Sequence, residues 1–252
     1  MTTRVRNPKA RAWDAVGLKF WQLGRRSAKP SAQTLRWFRE GIEAGDRCLV
    51  VGGTSIGLIR AVARCGCSAR VVDFSERICA EARGRIPPEV EVTCCDVTAL
   101  PRSWAGSFDH LLCDTLINRF DADEARRFEH AAGEALVAGG TLRATVKVGL
   151  YAMDRRLLRL AGKLGVPPDF WDERTQTMDY GRLGPMLEPG AVRHGGISRR
   201  DLLRWYAGRG REKRFEPDEL YELFAGPAWA SCSIEPDAPS RDRVRILARR
   251  AP

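Results

Sequence analysis

A short apolar run and a glycine-rich turn follow one another in Arg47-Cys-Leu-Val-Val-Gly-Gly-Thr-Ser-Ile-Gly57. A run of this length that ends at glycines is typical of a strand buried on both faces, followed by a tight turn and a helix. Glycine lets the backbone approach a ligand closely, and the start of a helix favours polar or anionic groups. The stretch therefore predicts a β-turn-α unit with a ligand beside its turn.

Strands and helices continue to alternate on the carboxyl side of this unit. Further strands are predicted at 70–73, 90–95, 108–113 and 141–148, with helices at 57–65, 75–83 and 123–136, the last stopped by Gly139-Gly140. Such alternation predicts a parallel sheet with helices on both faces. Strand-like runs at 230–234 and 243–248 add a terminal hairpin. We expect an α/β fold: a doubly wound, mostly parallel seven-stranded sheet, a terminal antiparallel hairpin and a helical insertion after strand five.

This pattern divides the chain into four segments. Residues 1–45 are predicted to form an N-terminal helical segment, and residues 46–148 the cofactor-binding core. Residues 149–227 would be a helical insertion at the carboxyl edge of the sheet, a position that suits a substrate lid. Residues 228–252 would supply the hairpin that completes the sheet.

Acidic residues stand at the ends of three predicted strands. Asp73 ends the second strand, where a carboxylate can accept hydrogen bonds from both hydroxyls of a ribose. Asp96 ends the third strand and Asp114 the fourth. With the glycine-rich turn, Phe108-Asp109 before strand four and Leu136-Val-Ala-Gly-Gly-Thr-Leu142 before strand five, this order resembles the class I S-adenosylmethionine-dependent methyltransferases.

The resemblance implies a cofactor, S-adenosylmethionine, with S-adenosylhomocysteine as its product. It also implies a role for each matching residue. Gly52, Gly53 and Thr54 would contact the methionine part, Asp73 the ribose, Phe74 a face of the adenine, Asp96 and Val97 the adenine edge, and Asp114 the region of the methyl group. Each of the acids Asp73 and Asp96 could instead cap a helix.

The sequence departs from the family at the cofactor's amino group. The family's first strand usually ends with an acid, where this chain has Val50 or Val51, and its next glycine is Thr54 or Ser55 here. This departure leaves an alternative to methyl transfer open. The alternative is a methyltransferase-fold protein that has lost methyl transfer and performs a cyclisation or an elimination, or acts as a partner subunit, with no cofactor if the altered motif has lost binding.

Two further readings receive less support. A short-chain dehydrogenase that binds NAD would need a Tyr-x-x-x-Lys base, but Tyr151-Ala-Met-Asp-Arg155 ends in arginine. Arginine stays protonated and so cannot tune a tyrosine as lysine does. A nucleic-acid methyltransferase would need its arginines gathered around the pocket, and no Asn-Pro-Pro-Tyr signature follows strand four.

Methyl transfer is an in-line displacement, so the site mainly supplies orientation and excludes water. We expect a small-molecule acceptor, because the insertion has the size of a lid and no separate nucleic-acid module is visible. Asn118 and Arg119 follow strand four, and Arg119 could clamp a carboxylate or phosphate. Tyr151 and His194 are the other candidates, since histidine can act as a base near neutral pH.

Composition limits the remaining possibilities. The net charge is +10, from 42 basic and 32 acidic residues, but basic and acidic residues alternate, which favours a solvated surface over a nucleic-acid partner.

The eight cysteines form no C-x-x-C pair, and we predict no metal site. We expect the cysteines to be reduced, and reduced cysteines indicate a reducing compartment. With no apolar run long enough for a membrane and no secretory signal in residues 1–26, we expect the cytoplasm; the oligomeric state stays open.

Overall fold

The computed structural model describes residues 8–19, 29–191, 196–238, 240 and 242–252. Its helices alternate with its strands over the first half of the chain. The strands are β1 (Arg47–Val51), β2 (Ser68–Asp73), β3 (Glu91–Cys94), β4 (Phe108–Asp114), β5 (Leu136–Lys147), β6 (Trp171–Asp172), β7 (Thr177–Asp179), β8 (Arg211–Lys213), β9 (Trp229–Pro236) and β10 (Arg243–Arg250). The helices are α1 (Pro8–Val16), α2 (Ala32–Arg39), α3 (Ile56–Ala63), α4 (Glu76–Arg83), α5 (Ala122–Ala135), α6 (Ala152–Leu164), α7 (Leu187–Gly190), α8 (Arg199–Gly208) and α9 (Pro217–Leu223).

Seven strands form the main sheet in the order β3-β2-β1-β4-β5-β10-β9. Strands β1 to β5 run parallel, whereas β10 is antiparallel to both β5 and β9. The predicted doubly wound sheet with its terminal hairpin is therefore confirmed. Because the chain leaves β1 for β2 on one side and later adds β4 on the other, a crevice opens at the carboxyl ends of β1 and β4.

Apolar side chains cover both faces of this sheet, as the continuous apolar runs predicted. One face packs against α2, α3 and α4, where Phe38 and Ile59 are fully buried with Val50. The other face packs against α5 and α9, where Phe128 and Leu220 are fully buried. The alternation of Leu49 and Val50 between the two cores follows from the two-residue period of a strand.

The strand β5 begins earlier than the sequence predicted. The predicted helix stop at Gly139-Gly140 was wrong, because α5 already ends at Ala135 and the chain enters β5 at Leu136. The glycines lie instead within β5, where the pairing with β4 shifts register. A Cβ on Gly140 would lie 2.9 Å from the carbonyl oxygen of Val137, so this irregular strand needs glycine there.

The insertion after β5 contains strands as well as helices. Strands β6, β7 and β8 form a small antiparallel sheet, which the expectation of a purely helical lid did not include. A separate apolar core joins α6 to α8, and α1 contributes Ala12 and Val16 to it. The first helix of the chain is therefore part of the same packed unit as the insertion.

Close packing of α1 on α8 depends on a glycine. A Cβ on Gly208 would lie 2.7 Å from the Cβ of Ala12. We therefore expect Gly208→Ala to lower the free energy of unfolding by about 1–3 kcal/mol, the usual cost of overpacking. Gly162 within α6 has open space around it, so Gly162→Ala is expected to raise it by up to about 1 kcal/mol. Urea titrations of both variants test the pair, and equal effects would contradict the close approach.

Candidate functional site

The main cavity lies at the carboxyl ends of β1, β2 and β4, with a volume of about 770 Å³ that includes space open to solvent. Residues from the predicted core, the loop after β4 and α1 line it together. The lining comprises Lys9, Trp13, Val51, Gly52, Thr54, Ser55, Val72, Asp73, Phe74, Cys95, Asp96, Val97, Asp114, Thr115, Leu116, Arg119, Phe120 and Glu124. Seven of the eight predicted cofactor residues are in this set; the eighth, Gly53, lies behind the surface.

The turn after β1 brings the backbone to the cavity. Gly52 has a φ of 101°, a left-handed conformation that favours glycine. A Cβ on Gly53 would lie 2.9 Å from Cγ2 of Ile78 in α4, so a side chain there would push the helix away. The two glycines thus have separate tasks, since Gly52 makes the turn and Gly53 lets α4 pack against it.

Asp73 is buried beside this turn. Its Oδ2 accepts a hydrogen bond of 2.9 Å from the amide of Gly53, and its Oδ1 accepts one of 2.8 Å from the amide of Ser75. Burial raises the pKa of Asp73 to about 6, although these two hydrogen bonds act to lower it. The carboxylate therefore links the turn after β1 to the loop after β2 through these hydrogen bonds, and it still borders the cavity.

Asp96 borders the cavity after β3 and also caps a short turn of 3₁₀ helix. Its Oδ1 accepts hydrogen bonds of 2.9 Å from both the amide and the hydroxyl of Thr98. Asp96 therefore does cap a helical turn, as the alternative for this residue predicted. The same carboxylate also lines the cavity, as does Val97. A cap of this kind holds the carboxylate in one orientation.

Asp114 ends β4 and is held from the neighbouring strand. The hydroxyl of Thr145 in β5 donates a hydrogen bond of 2.5 Å to its Oδ1. Burial raises the pKa of Asp114 to about 6, against the lowering effect of that hydrogen bond. The next residue, Thr115, has a φ of 52°, an uncommon conformation for a residue with a Cβ, and its buried hydroxyl has no hydrogen-bond partner among the described residues. Such outliers cluster at functional sites.

The raised pKa of Asp114 predicts a pH-dependent effect of its replacement. In the unfolded chain the carboxyl ionises near 3.8, and in the folded chain near 6. The stability gained by the neutral form is present below the lower value and is lost as the pH rises through the higher one. We expect Asp114→Asn to gain stability relative to the parent chain between pH 4 and 7, by on the order of 2 kcal/mol.

Thermal denaturation of both chains across this pH range tests the expectation. Asp123→Asn is the matched control, because it removes a largely exposed carboxylate from α5. A stability difference between Asp114→Asn and the parent chain that stays constant from pH 4 to 7 would contradict the argument.

Helix α1 closes one side of the cavity, which the sequence analysis did not foresee. Lys9 and Trp13, one helical turn apart, both line the cavity. The ammonium of Lys9 pairs with Glu124 and donates hydrogen bonds of 2.9 Å to the carbonyls of Arg119 and Arg211. The spacing of Lys9 and Trp13 on a helix was the available signal, but no motif accompanies it.

The predicted acceptor residues lie at different depths. Arg119 lines the cavity, whereas Asn118 is fully buried behind it, and neither polar atom of its side chain has a partner among the described residues. The hydroxyl of Tyr151 donates a hydrogen bond of 3.3 Å to the carbonyl of Asn118, so Tyr151 helps to hold this loop in place. His194 lies outside the described residues. The structure thus brings three of the four candidates together, with Arg119 alone at the cavity surface.

A buried ionic cluster begins at Arg119 and extends behind it. Arg214 donates to both oxygens of Asp154, at 2.6 and 3.2 Å, and to Glu212 at 3.2 Å. Arg209 pairs with Glu212 through two hydrogen bonds and stacks 3.9 Å above the ring of Tyr180. The arginines hold the pKa of Glu212 well below its usual range, although burial acts to raise it. The cluster connects the insertion to the loop after β4.

The described part of the chain shows neither a metal-binding cluster nor a membrane-spanning helix. Within it, no group of three or more His, Cys, Asp or Glu side chains could hold a metal ion. None of the helices found there is long and apolar enough to cross a membrane.

One solved structure resembles this chain over its whole length. No protein-family model matches the chain, and no curated protein matches it. A Rhodobacter sphaeroides protein, provisionally named a Zn-dependent alcohol dehydrogenase, shares 34% identity over 98% of this chain and 100% of its own, with a TM-score of 0.89. Identity at that level over the full length places the two chains in one family.

More distant structures identify the fold. A phosphoethanolamine N-methyltransferase from Haemonchus contortus, bound to S-adenosylhomocysteine, has a TM-score of 0.62 at 14% identity and covers 98% of this chain and 60% of its own. A 1,6-didemethyltoxoflavin-N1-methyltransferase from Burkholderia thailandensis, also bound to S-adenosylhomocysteine, has a TM-score of 0.58 at 13% identity, over 100% and 94% of the two chains. With the strand order 3-2-1-4-5 and the terminal hairpin, these likenesses show that the chain has the class I methyltransferase fold.

Proposed function

We propose that this protein is an S-adenosylmethionine-dependent methyltransferase that acts on a small molecule by in-line transfer. One observation carries the proposal. The glycine-rich turn and the acids after β2, β3 and β4, which lie far apart in the sequence, line one cavity at the sheet's carboxyl edge. Relatives of the same fold, at low identity, hold S-adenosylhomocysteine.

The residues present fit this cofactor. Asp73 would accept hydrogen bonds from the ribose hydroxyls, Asp96 from the adenine amino group, and Phe74 and Val97 would flank the adenine. Gly52 and Thr54 would lie along the methionine part. S-adenosylmethionine supplies an electrophilic methyl group on a sulfonium.

The acid that the family carries at the end of the first strand is absent here, and a carboxylate on a neighbouring strand could replace it. Val50 is buried in the core, whereas Val51 lines the cavity, so Val51 stands where the family's acid would face the cofactor. Asp114, at the end of the adjacent strand β4, supplies a carboxylate to the same cavity. We infer that Asp114 binds the cofactor's ammonium group in place of the family's acid. This supports binding of the cofactor despite the altered motif.

The other side of the cavity would receive the acceptor. Trp13, Leu116 and Phe120 give it apolar walls that exclude water, and Arg119 gives it a charge. In this proposal residues 46–148 are the cofactor-binding core, and residues 149–227 form a lid together with α1. Asn118 and Tyr151 would position Arg119 rather than touch the acceptor, and residues 228–252 complete the sheet.

Calorimetric titration tests the proposal. We expect S-adenosylmethionine and S-adenosylhomocysteine to bind one to one with micromolar dissociation constants, and NAD to bind far more weakly. A radiolabelled methyl group should then pass to an acceptor in a metabolite extract. Binding without transfer to any acceptor would favour the alternative, a fold member with other chemistry or a partner subunit. Absence of binding at millimolar ligand would overturn the proposal.

A further inference from the structure

The buried ionic cluster carries more positive than negative charge. Its cations are Arg119, Arg209 and Arg214, and its anions are Asp154 and Glu212. Three positive and two negative charges leave one excess positive charge among the described residues. An unbalanced charge in a buried place is costly unless a counterion is supplied.

The two carboxylates are already occupied by other arginines. Asp154 accepts from Arg214 through both oxygens and also from the hydroxyl of Tyr180 at 2.9 Å. Glu212 accepts from Arg209 through both oxygens and from Arg214. A carboxylate offers about four acceptor positions. Those of Asp154 are filled once the amide of Tyr151 is included, and Glu212 has about one position left for a third arginine.

Of the three arginines, Arg119 is the one that makes no hydrogen bond to either carboxylate. Its contact with a carboxylate in the described part of the chain is with Glu212, at 3.6 Å between Nη1 and Oε1, which is longer than a hydrogen bond. Its side chain is 19% exposed and lines the cavity, whereas that of Glu212 is 1% exposed. The excess charge therefore sits where the cluster meets the cavity.

The neighbouring charges on this side of the cavity cancel each other. Lys9 is paired with Glu124, and both side chains are largely buried. Asp73, Asp96 and Asp114 belong to the cofactor side in the proposed function. Trp13, Leu116 and Phe120 give the cavity apolar walls, and a cation in such surroundings pairs more strongly with an anion than it would in water.

We propose that Arg119 binds an anionic group of the acceptor, a carboxylate or a phosphate, and that the acceptor carries an aromatic or other apolar body. The planar guanidinium can bind either anion through two parallel hydrogen bonds. The body would pack between Trp13 and Phe120, close to the methyl group. This inference rests on the proposed function, because the cofactor defines which part of the cavity is left for the acceptor.

Simple probes test the inference with the protein saturated by S-adenosylhomocysteine. Benzoate and phenyl phosphate are titrated by calorimetry, with benzamide as the neutral counterpart. We expect at least one anion to bind the parent chain about tenfold or more tightly than benzamide, and Arg119→Gln to remove that preference. Arg119→Lys should recover part of it, since it restores the charge without the planar geometry. The stronger of the two anions identifies the group.

Controls separate a structural effect from binding. Arg126→Gln removes an exposed arginine of α5 and should leave the preference intact. Arg119→Gln leaves Glu212 paired with Arg209 and Arg214 and removes the excess charge, so its thermal stability should not fall below that of the parent chain. Equal binding of anions by the parent chain and Arg119→Gln, or no preference over benzamide, would overturn the inference. If S-adenosylhomocysteine itself does not bind, the proposed function fails, and the same titrations on the ligand-free protein still decide the role of Arg119.

Discussion

Replacement of Arg214 by methionine is expected to lower the free energy of unfolding by about 3–5 kcal/mol, the usual cost of removing one partner from a buried ion pair. Arg214 is completely buried, and so is Asp154, with which it pairs. Methionine has a similar volume but cannot compensate the carboxylate. Asp154 would keep the hydroxyl of Tyr180 and the amide of Tyr151 as partners, but it would lose its charged one.

Urea denaturation followed by fluorescence measures this change. Arg126→Met serves as the control, because Arg126 and its partner Asp123 are both mostly exposed, and such pairs contribute about 0–1 kcal/mol. In the double variant Arg214→Met/Asp154→Leu, removal of both charges should recover a large part of the loss. A cost for Arg214→Met no larger than that of the control would show that the cluster contributes little to stability.

Replacement of Asp73 by asparagine is expected to weaken S-adenosylhomocysteine binding about a hundredfold. Hydrogen bonds from two ribose hydroxyls to a carboxylate contribute about 1.5 kcal/mol each, and a loss of about 3 kcal/mol corresponds to a factor of this size. The uncharged amide offers one acceptor oxygen, which is already required by the amide of Gly53 or Ser75.

Calorimetry with S-adenosylhomocysteine, adenosine and adenine separates ribose recognition from a damaged loop. Adenine has no ribose, so its affinity should be similar for the parent chain and Asp73→Asn, whereas adenosine should lose affinity. Asp123→Asn controls for the removal of a carboxylate elsewhere on the surface. Equal losses for adenine and adenosine would mean that the variant acts through the turn after β1 and not through the ribose.

Local patterns were enough to predict the sheet and the convergence of three acids on one cavity. Strands β1 to β4 read as short apolar runs, and the carboxyl ends of parallel strands meet at one edge, so Asp73, Asp96 and Asp114 had to converge. The early start of β5 was missed because Leu136 to Gly140 contains two glycines, which weigh against any regular element. Pairing with β4 imposes the strand there, and pairing is not visible in the segment alone.

The side of the cavity lined by Lys9, Trp13 and Arg119 could not be predicted because it is assembled from distant parts of the chain. Lys9 and Trp13 reach the cavity through the packing of α1 on α8 and its hydrogen bonds to Ser75 and Arg77, and nothing near them in the sequence indicates those contacts. The ionic cluster likewise joins Arg119, Asp154 and Glu212, which lie in three separate elements. Charged residues are mostly exposed, so sequence reasoning assigned most of these arginines to the solvated surface.

The shared core of α1 and the insertion limits how this protein can be taken apart. Ala12 and Val16 are buried against residues that the ribosome makes more than a hundred positions later. The insertion therefore cannot be grafted onto another sheet as an independent module, because its apolar surface would lack the helix that covers it. During synthesis the apolar side chains of Ala12 and Val16 therefore lack the part of their core that the insertion supplies until the insertion has been made.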